Sequence, residues 1–232
     1  MPYRNCLRLT LFGFAYAGIV LVIPSAWAAS PGACEKWFAK VVSAQGRVEA
    51  RGPQQTAWRI AKLNEVFCHG DAIRTNARSR AALVLANETI VRLDQLTTLT
   101  LTSPEDNASF WLDLASGVAH FLSRTPRALK VKTPYVNAAV EGTEFVVRSD
   151  STQASVTVLE GRVLAQNERG SVPLASGESA TAAAGQAPVA RLVAQPRDAV
   201  AWALYYPPLF DSRTLSGNAP WIEPLRRSAA AY

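Results

Sequence analysis

Two carboxylates, Glu141 and Glu144, flank the step Gly142-Thr143 and lead into Phe145. A pair at that spacing could act as general acid and base, or help hold a cation. A structural reading of the same residues is stronger. Gly142 supplies backbone freedom, Thr143 can hydrogen-bond the turn, and Phe145 anchors the following strand in a core. The two histidines add little chemistry. His69, between Cys68 and Gly70, reads as a turn residue, and His120, between Ala119 and Phe121, as a strand residue. A zinc site asks for three or four His, Cys or carboxylate ligands at characteristic spacing, and a Ser-His-Asp site for a nucleophile on a sharp elbow. Neither pattern accompanies these histidines. The chain reads as non-enzymatic, with no cofactor and no metal, and a hydrolase using Glu141 or Glu144 is the catalytic rival.

Export changes how the cysteines are read. Arg4 and Arg8 open a basic start, Leu9 to Ile23 is an apolar run, and Ala26-Trp27-Ala28 follows Pro24. That order is a cleavable secretory signal over residues 1–28 rather than a spanning anchor, since the run is short and a small-residue site follows it directly. Cys6 leaves with the signal. Cys34 and Cys68 remain in an oxidising compartment, and we expect a disulfide between them, with two buried free thiols as the bland alternative. Closing that loop should stabilise the fold by about 3–4 kcal/mol through the unfolded state. The signal holds two of the 24 basic residues and no acidic one, so the mature net charge is 22 − 18 = +4. The charges are scattered, with no arginine-rich run, which argues against nucleic acid. After cleavage the protein should be soluble and periplasmic or secreted.

Two groups of residues could meet a partner. Arg124, Arg127, Lys130 and Lys132 form a basic stretch around Pro126. It could face an acidic envelope polymer or protein surface, or simply guard an edge strand with lysines, which is the reading we prefer. Trp202, Tyr205 and Tyr206 could dock a partner helix or pack their own helix onto the rest of the chain.

The elements that must position these residues are almost all strands. Thr98 to Thr102 alternates Thr and Leu and should be half-buried. Ser155 to Val158 alternates likewise, and Ser109 to Leu114 puts Phe110, Leu112 and Leu114 on one face. Ala81 to Ala86 is apolar on both faces, as a central strand would be. Thr89 to Leu93 follows the short gap Asn87-Glu88, suited to a hairpin. Lys40 to Ala50, Gly117 to Leu122, Leu129 to Thr133 and Glu144 to Arg148 complete the set. A weak repeat runs through Gly46-Arg47-Val48, Gly117-Val118 and Gly161-Arg162-Val163, where glycine allows a tight turn or bulge at the start of a strand. Further turn signals are Gly70-Asp71 and Gly177-Glu178. Ala184 to Pro196 reads as a linker or a frayed last strand, Arg197 to Tyr206 as one short helix ended by Pro207-Pro208, and the rest as an irregular tail. The fold class is all-β, sandwich- or solenoid-like, built of short antiparallel strands. Its organisation is a signal at 1–28, a β domain at 29–186, and a linker, helix and tail at 187–232.

From Val41 to Ala183 the chain resembles the FecR domain. The resemblance is carried by Gly46-Arg47-Val48, Gly70-Asp71-Ala72-Ile73-Arg74-Thr75, Ser79 to Leu85, Leu114-Ala115-Ser116-Gly117, Val131-Lys132-Thr133-Pro134, Val140-Glu141-Gly142-Thr143-Glu144-Phe145, Val158 to Val163 and Ala175-Ser176-Gly177-Glu178. It implies a β-rich extracytoplasmic module for signalling or protein contact in the cell envelope, without enzymatic activity. Iron-dicitrate regulators of this type carry a cytoplasmic anti-sigma segment and a membrane helix, which the cleavable signal replaces here. The Tyr-Tyr-Pro-Pro ending of the helix looks like the join of secreted relatives in which tetratricopeptide repeats follow. The rival function is binding of envelope polysaccharide or peptidoglycan, which exposed Trp58 or Trp111 beside the basic stretch would favour.

Overall fold

The structure, a computed structural model, describes residue 34 and residues 36–102, 110–123, 129–140 and 144–204. These lie in the compact unit Gly32–Tyr232, and the unit Met1–Pro31, which holds the signal read from the sequence, is outside the described residues. The strands are β1 (Ala39–Gln45), β2 (Val48–Arg51), β3 (Arg59–Ile60), β4 (Val66–Phe67), β5 (Ala72–Thr75) and β6 (Arg80–Leu85). They continue as β7 (Ile90–Leu93), β8 (Thr98–Thr102), β9 (Phe110–Leu122), β10 (Leu129–Lys132), β11 (Asn137–Val140) and β12 (Glu144–Ser149). The last are β13 (Gln153–Glu160), β14 (Arg162–Asn167), β15 (Gly170–Ala175), β16 (Glu178–Ala183) and β17 (Val189–Leu192), before a 3-10 helix over Pro196–Leu204.

Pairing sorts the strands into two sheets. The first has the order β4-β1-β6-β7-β9-β12-β13-β16-β17. The second has the order β3-β2-β5-β8-β9-β10-β11-β14-β15. Strand β9 belongs to both: its first half pairs with β8 and β10, its second half with β7 and β12. The inner faces share one apolar core that includes Leu83, Leu85, Leu99, Leu101, Leu112, Leu114, Phe121 and Phe145. Phe145 is 1% exposed and stacks on its cross-strand partner Phe121 with ring centres 4.7 Å apart. The alternation read in Thr98–Thr102 is realised, with Leu99 and Leu101 inward and the threonines half-exposed. The hairpin between β6 and β7 also forms, with Glu88 at φ 68° in its turn.

The Gly-Val repeat has a physical meaning that its irregular spacing hid. The chain passes from β1 in the first sheet to β2 in the second at Gly46, through the middle of β9 at Gly117, and from β13 to β14 at Gly161. All three glycines have positive φ, 69°, 97° and 91°. Each marks a change of sheet. At Gly117 the packing is tightest: an added Cβ would lie closer than 3.0 Å to the Cα, Cβ and Oγ1 of Thr97. Thr97 is fully buried, and its hydroxyl accepts the Val118 N–H at 3.0 Å and donates to the Val118 carbonyl at 3.2 Å.

Several elements differ from the sequence reading. Lys40 to Ala50 is two strands, because Gly46 turns the chain into the other sheet. The strands read at 109–114 and 117–122 meet in one thirteen-residue strand, Phe110–Leu122, continuous through Gly117. The β9–β10 pairing is parallel, whereas the other pairings are antiparallel. Strand β10 is not an edge strand: it lies between β9 and β11, so its lysines do not guard an open edge. The segment after Ala183 supplies the last strand, β17. The helix that follows is a 3-10 helix, docked through Val200 onto Val118 and Val146 on the outer face of the first sheet.

Gly117→Ala should lose at least about 2 kcal/mol in urea unfolding, since a left-handed L-residue costs about 1–2 kcal/mol before any clash. Gly177→Ala is the matched control, because its φ of 84° is also positive but nothing lies within 4 Å of the added Cβ. A smaller loss at Gly117 than at Gly177 would contradict the crossing described for β9.

Candidate functional site

The outer face of the first sheet is partly covered by the 3-10 helix. One transverse rung places Ser43, Ala82, Arg92, His120, Val146 and Thr157 side by side. His120 is 1% exposed and donates from Nε2 to Glu144 Oε1 at 2.9 Å, while its Nδ1 is buried without a partner. Burial holds the imidazole pKa below its usual value and Arg92 adds to that, against the opposing pull of Glu144. Trp202 packs beside Val200 on this face and donates its indole N–H to the Ala199 carbonyl at 2.9 Å. A groove of about 230 Å³ lies next to it, lined in part by Ser43, Gln45, Arg80 and Arg92.

The outer face of the second sheet carries two rungs of polar and aromatic residues. Along one rung stand Thr102, Trp111, Lys130 and Ala139; along the next, Arg51, Ala72, Thr100, Asp113 and Lys132. The Lys130 ammonium sits 4.8 Å from the Trp111 ring centre, and Arg74 and Arg51 sit 4.3 and 4.7 Å from that of Trp58. Such cation–ring contacts hold long side chains against the sheet. Beneath Trp58 lies a buried carboxylate, Glu49, with its side chain 2% exposed. It accepts hydrogen bonds from Asn76 (3.0 Å), Arg74 (2.7 Å) and Arg47 (2.8 Å). These donors lower its pKa from 4.5 to about 2.

Cys34 and Cys68 form a disulfide with a Cα–Cα distance of 5.6 Å. It fastens the segment before β1 to the turn at Gly70-Asp71. There the Asp71 carboxylate accepts the Cys68 N–H at 2.8 Å, and Gly70 N–H bonds to Leu101 in β8 at 2.7 Å. Burial raises the Asp71 pKa despite that hydrogen bond. At the far end of the first sheet, β17 is exposed at all four residues, Val189 at 68% and Leu192 at 82%.

This two-sheet arrangement recurs in known proteins. The family model described as FecR protein matches residues 71–164, from the Gly70-Asp71 turn into β14. Over that stretch the chain is similar to the FecR family. Two crystal structures of a candidate anti-sigma factor from Parabacteroides distasonis ATCC 8503, at 2.50 and 1.65 Å resolution, share the fold, each with a TM-score of 0.51 at 18% identity. The overlap covers 57% of this chain and 63% and 64% of those chains, so it spans less than two thirds of their length. No curated protein matches the chain. Among the described residues no helix is long and apolar enough to cross a membrane, which says nothing of strands.

Among the described residues those singled out from sequence do not gather into one site. Glu144 and Phe145 sit on adjacent positions of β12 and point to opposite faces, one to His120 and one to the core. Gly161 is the crossing into β14. Lys130 and Lys132 share the outer face of the second sheet, while Trp202 lies over the first. His69 is exposed in its turn. Trp58 and Trp111 are half-buried rather than exposed. Glu141, Gly142, Thr143, Arg124, Arg127, Tyr205 and Tyr206 lie outside the described residues. Sequence reasoning missed the Glu49 cluster, although Arg47-x-Glu49 and Arg74-x-Asn76 each place two polar groups on one face of a strand. It also missed the pairing of His120 with Glu144, residues 24 apart that only the β9–β12 register joins.

The His120 environment gives a pH prediction. Its folded pKa is depressed, so the stability at stake is fully present above the unfolded value near 6.5 and is lost as pH falls toward the folded value. Glu49 acts with the same sign in a lower window: its contribution is present above 4.5 and lost toward pH 2, so it adds nothing to a change between pH 7.5 and 5. Between pH 7.5 and 5 the denaturation midpoint should therefore fall, and His120→Gln should flatten that slope. An equal slope in both proteins would remove His120 as its cause.

Proposed function

We propose that this chain is a non-catalytic, extracytoplasmic binding and signalling module that recognises a protein partner in the cell envelope through the edge strand β17. Four edges end the two sheets. Strands β3 and β4 are two-residue stubs, and β15 carries Pro173, which cannot donate to a further strand. Among the described residues β17 pairs with β16 alone. It has no proline or lysine, and it presents Val189 and Leu192 to water. Register puts Leu192 on the same side as Ala190 and its core-facing partner Ala180, so an added strand would extend both the ladder and the apolar layer. That is the geometry of β-augmentation, where main-chain hydrogen bonds supply affinity and alternate side chains supply specificity.

Other features support the reading more generally. The FecR match and the fold shared with a candidate anti-sigma factor favour signalling through protein contact. The leader at residues 1–28 and the Cys34–Cys68 disulfide fit an oxidising compartment. Glu144 is engaged with His120, which suits a structural role better than acid–base work.

The test uses the mature protein as bait on an envelope extract, with Leu192→Lys as the paired bait. At 82% exposure this substitution should leave folding intact while placing a charge where an incoming strand would lie. We expect a defined protein to be retained by the wild type and lost, by about tenfold or more, with the variant. Equal retention by both baits would overturn the edge-strand reading.

A further inference from the structure

We infer that the outer face of the second sheet, centred on Lys130 and Lys132, binds an acidic polysaccharide. This surface is separate from the β17 edge and does not depend on it. The starting point is the position of β10. Lysines on an edge strand are explained by protection against stray pairing. Strand β10 is interior, parallel to β9 on one side and antiparallel to β11 on the other. Its two lysines are exposed, on the same face, and roughly 7 Å apart along the strand. Each has one neighbour on β9, Trp111 beside Lys130 and Asp113 beside Lys132, and both keep their ends in water.

The neighbours make the face cationic and open. The residue beside Lys130 on β11 is Ala139, too short to cover it, and Trp111 on β9 props its ammonium above the sheet. Arg51, at the far end of the Lys132 rung, stands four strands away, about 19 Å at the usual strand spacing. Among the described residues Arg51, Arg74, Lys130 and Lys132 outnumber the carboxylates of these rungs, Glu49 and Asp113, and Glu49 is already surrounded by donors. A cationic strip of that length complements an extended polyanion.

The side chains between the cations choose the kind of polyanion. Protein interfaces have apolar, aromatic-rich centres. Here the residues between the cations are the half-exposed Thr100, Thr102 and Ala139, with Ala72 buried among them, and cations already occupy the indoles of Trp58 and Trp111. Hydroxyl groups and charge without an apolar centre suit a hydrated, hydroxyl-rich chain bearing carboxylates.

Affinity electrophoresis of the mature protein at about pH 7, where uronate carboxylates are ionised, tests this directly. Polygalacturonate cast in the gel should retard the wild type, neutral dextran should not, and about 0.5 M sodium chloride should abolish the retardation. The double variant Lys130→Gln/Lys132→Gln should bind polygalacturonate at least about tenfold more weakly, as expected for two cations lost from an electrostatic contact. Should the double variant fail to fold, Lys132→Gln alone serves, because that side chain touches no ring. Leu192→Lys should bind the polymer as the wild type does, so this inference and the edge-strand reading can fail separately. Undiminished retardation of the lysine variants, equal retardation by dextran, or tighter binding to polyglutamate at matched carboxylate concentration would each overturn the assignment, the last in favour of an acidic protein.

Discussion

Backbone of positive φ at the points where the chain changes sheets is the constraint on which this structure rests. L-residues avoid that region because Cβ meets the neighbouring carbonyl, so glycine is the low-cost solution. Gly117 shows how much follows from one such point. It lets β9 serve the second sheet with Leu112 and Leu114 and the first with Ala119 and Phe121, all facing the same core. A one-residue slip there would turn Phe121 outward, break its stack with Phe145 and expose His120's side of the strand to the core. Thr97, buried against the crossing and bonded to both polar groups of Val118, fixes the register from the adjacent segment.

Much of this was legible in the chain. Alternation gave β8 and β13, the Asn87-Glu88 gap gave the β6–β7 hairpin, and the even cysteine count gave the disulfide. These are local signals, each written within a few residues or fixed by parity. Strand order is not local. Lys-x-Lys looks the same on an edge as in the middle of a sheet, so β10 was placed at an edge. Val189-Ala190-Arg191-Leu192 has no clean period of two, so its pattern fits a linker as well as a strand. Glu49 has no local mark of burial; its partners Arg74 and Asn76 lie 25 and 27 residues on. The helix was legible in position and not in type.

The two outer faces differ in what covers them. The first sheet carries the 3-10 helix, and beneath it a small apolar cluster and the His120–Glu144 pair. Among the described residues no helix lies over the second sheet, where Lys130 and Lys132 are exposed. The open edge at β17 belongs to the covered sheet, so a strand added there and a polymer laid on the other face would not compete for the same side chains. A scaffold of this kind can hold two contacts at once without any moving part.

The most direct measurement is amide hydrogen exchange on the mature, unbound protein, resolved across residues 178–192. The account requires slow exchange through β16, which is paired on both sides by β13 and β17. In β17 it requires alternation, with amides turned to β16 protected and those turned outward exchanging at the rate of an unstructured peptide. Uniform protection along 189–192 would mean that the edge is already covered and has no strand left to accept.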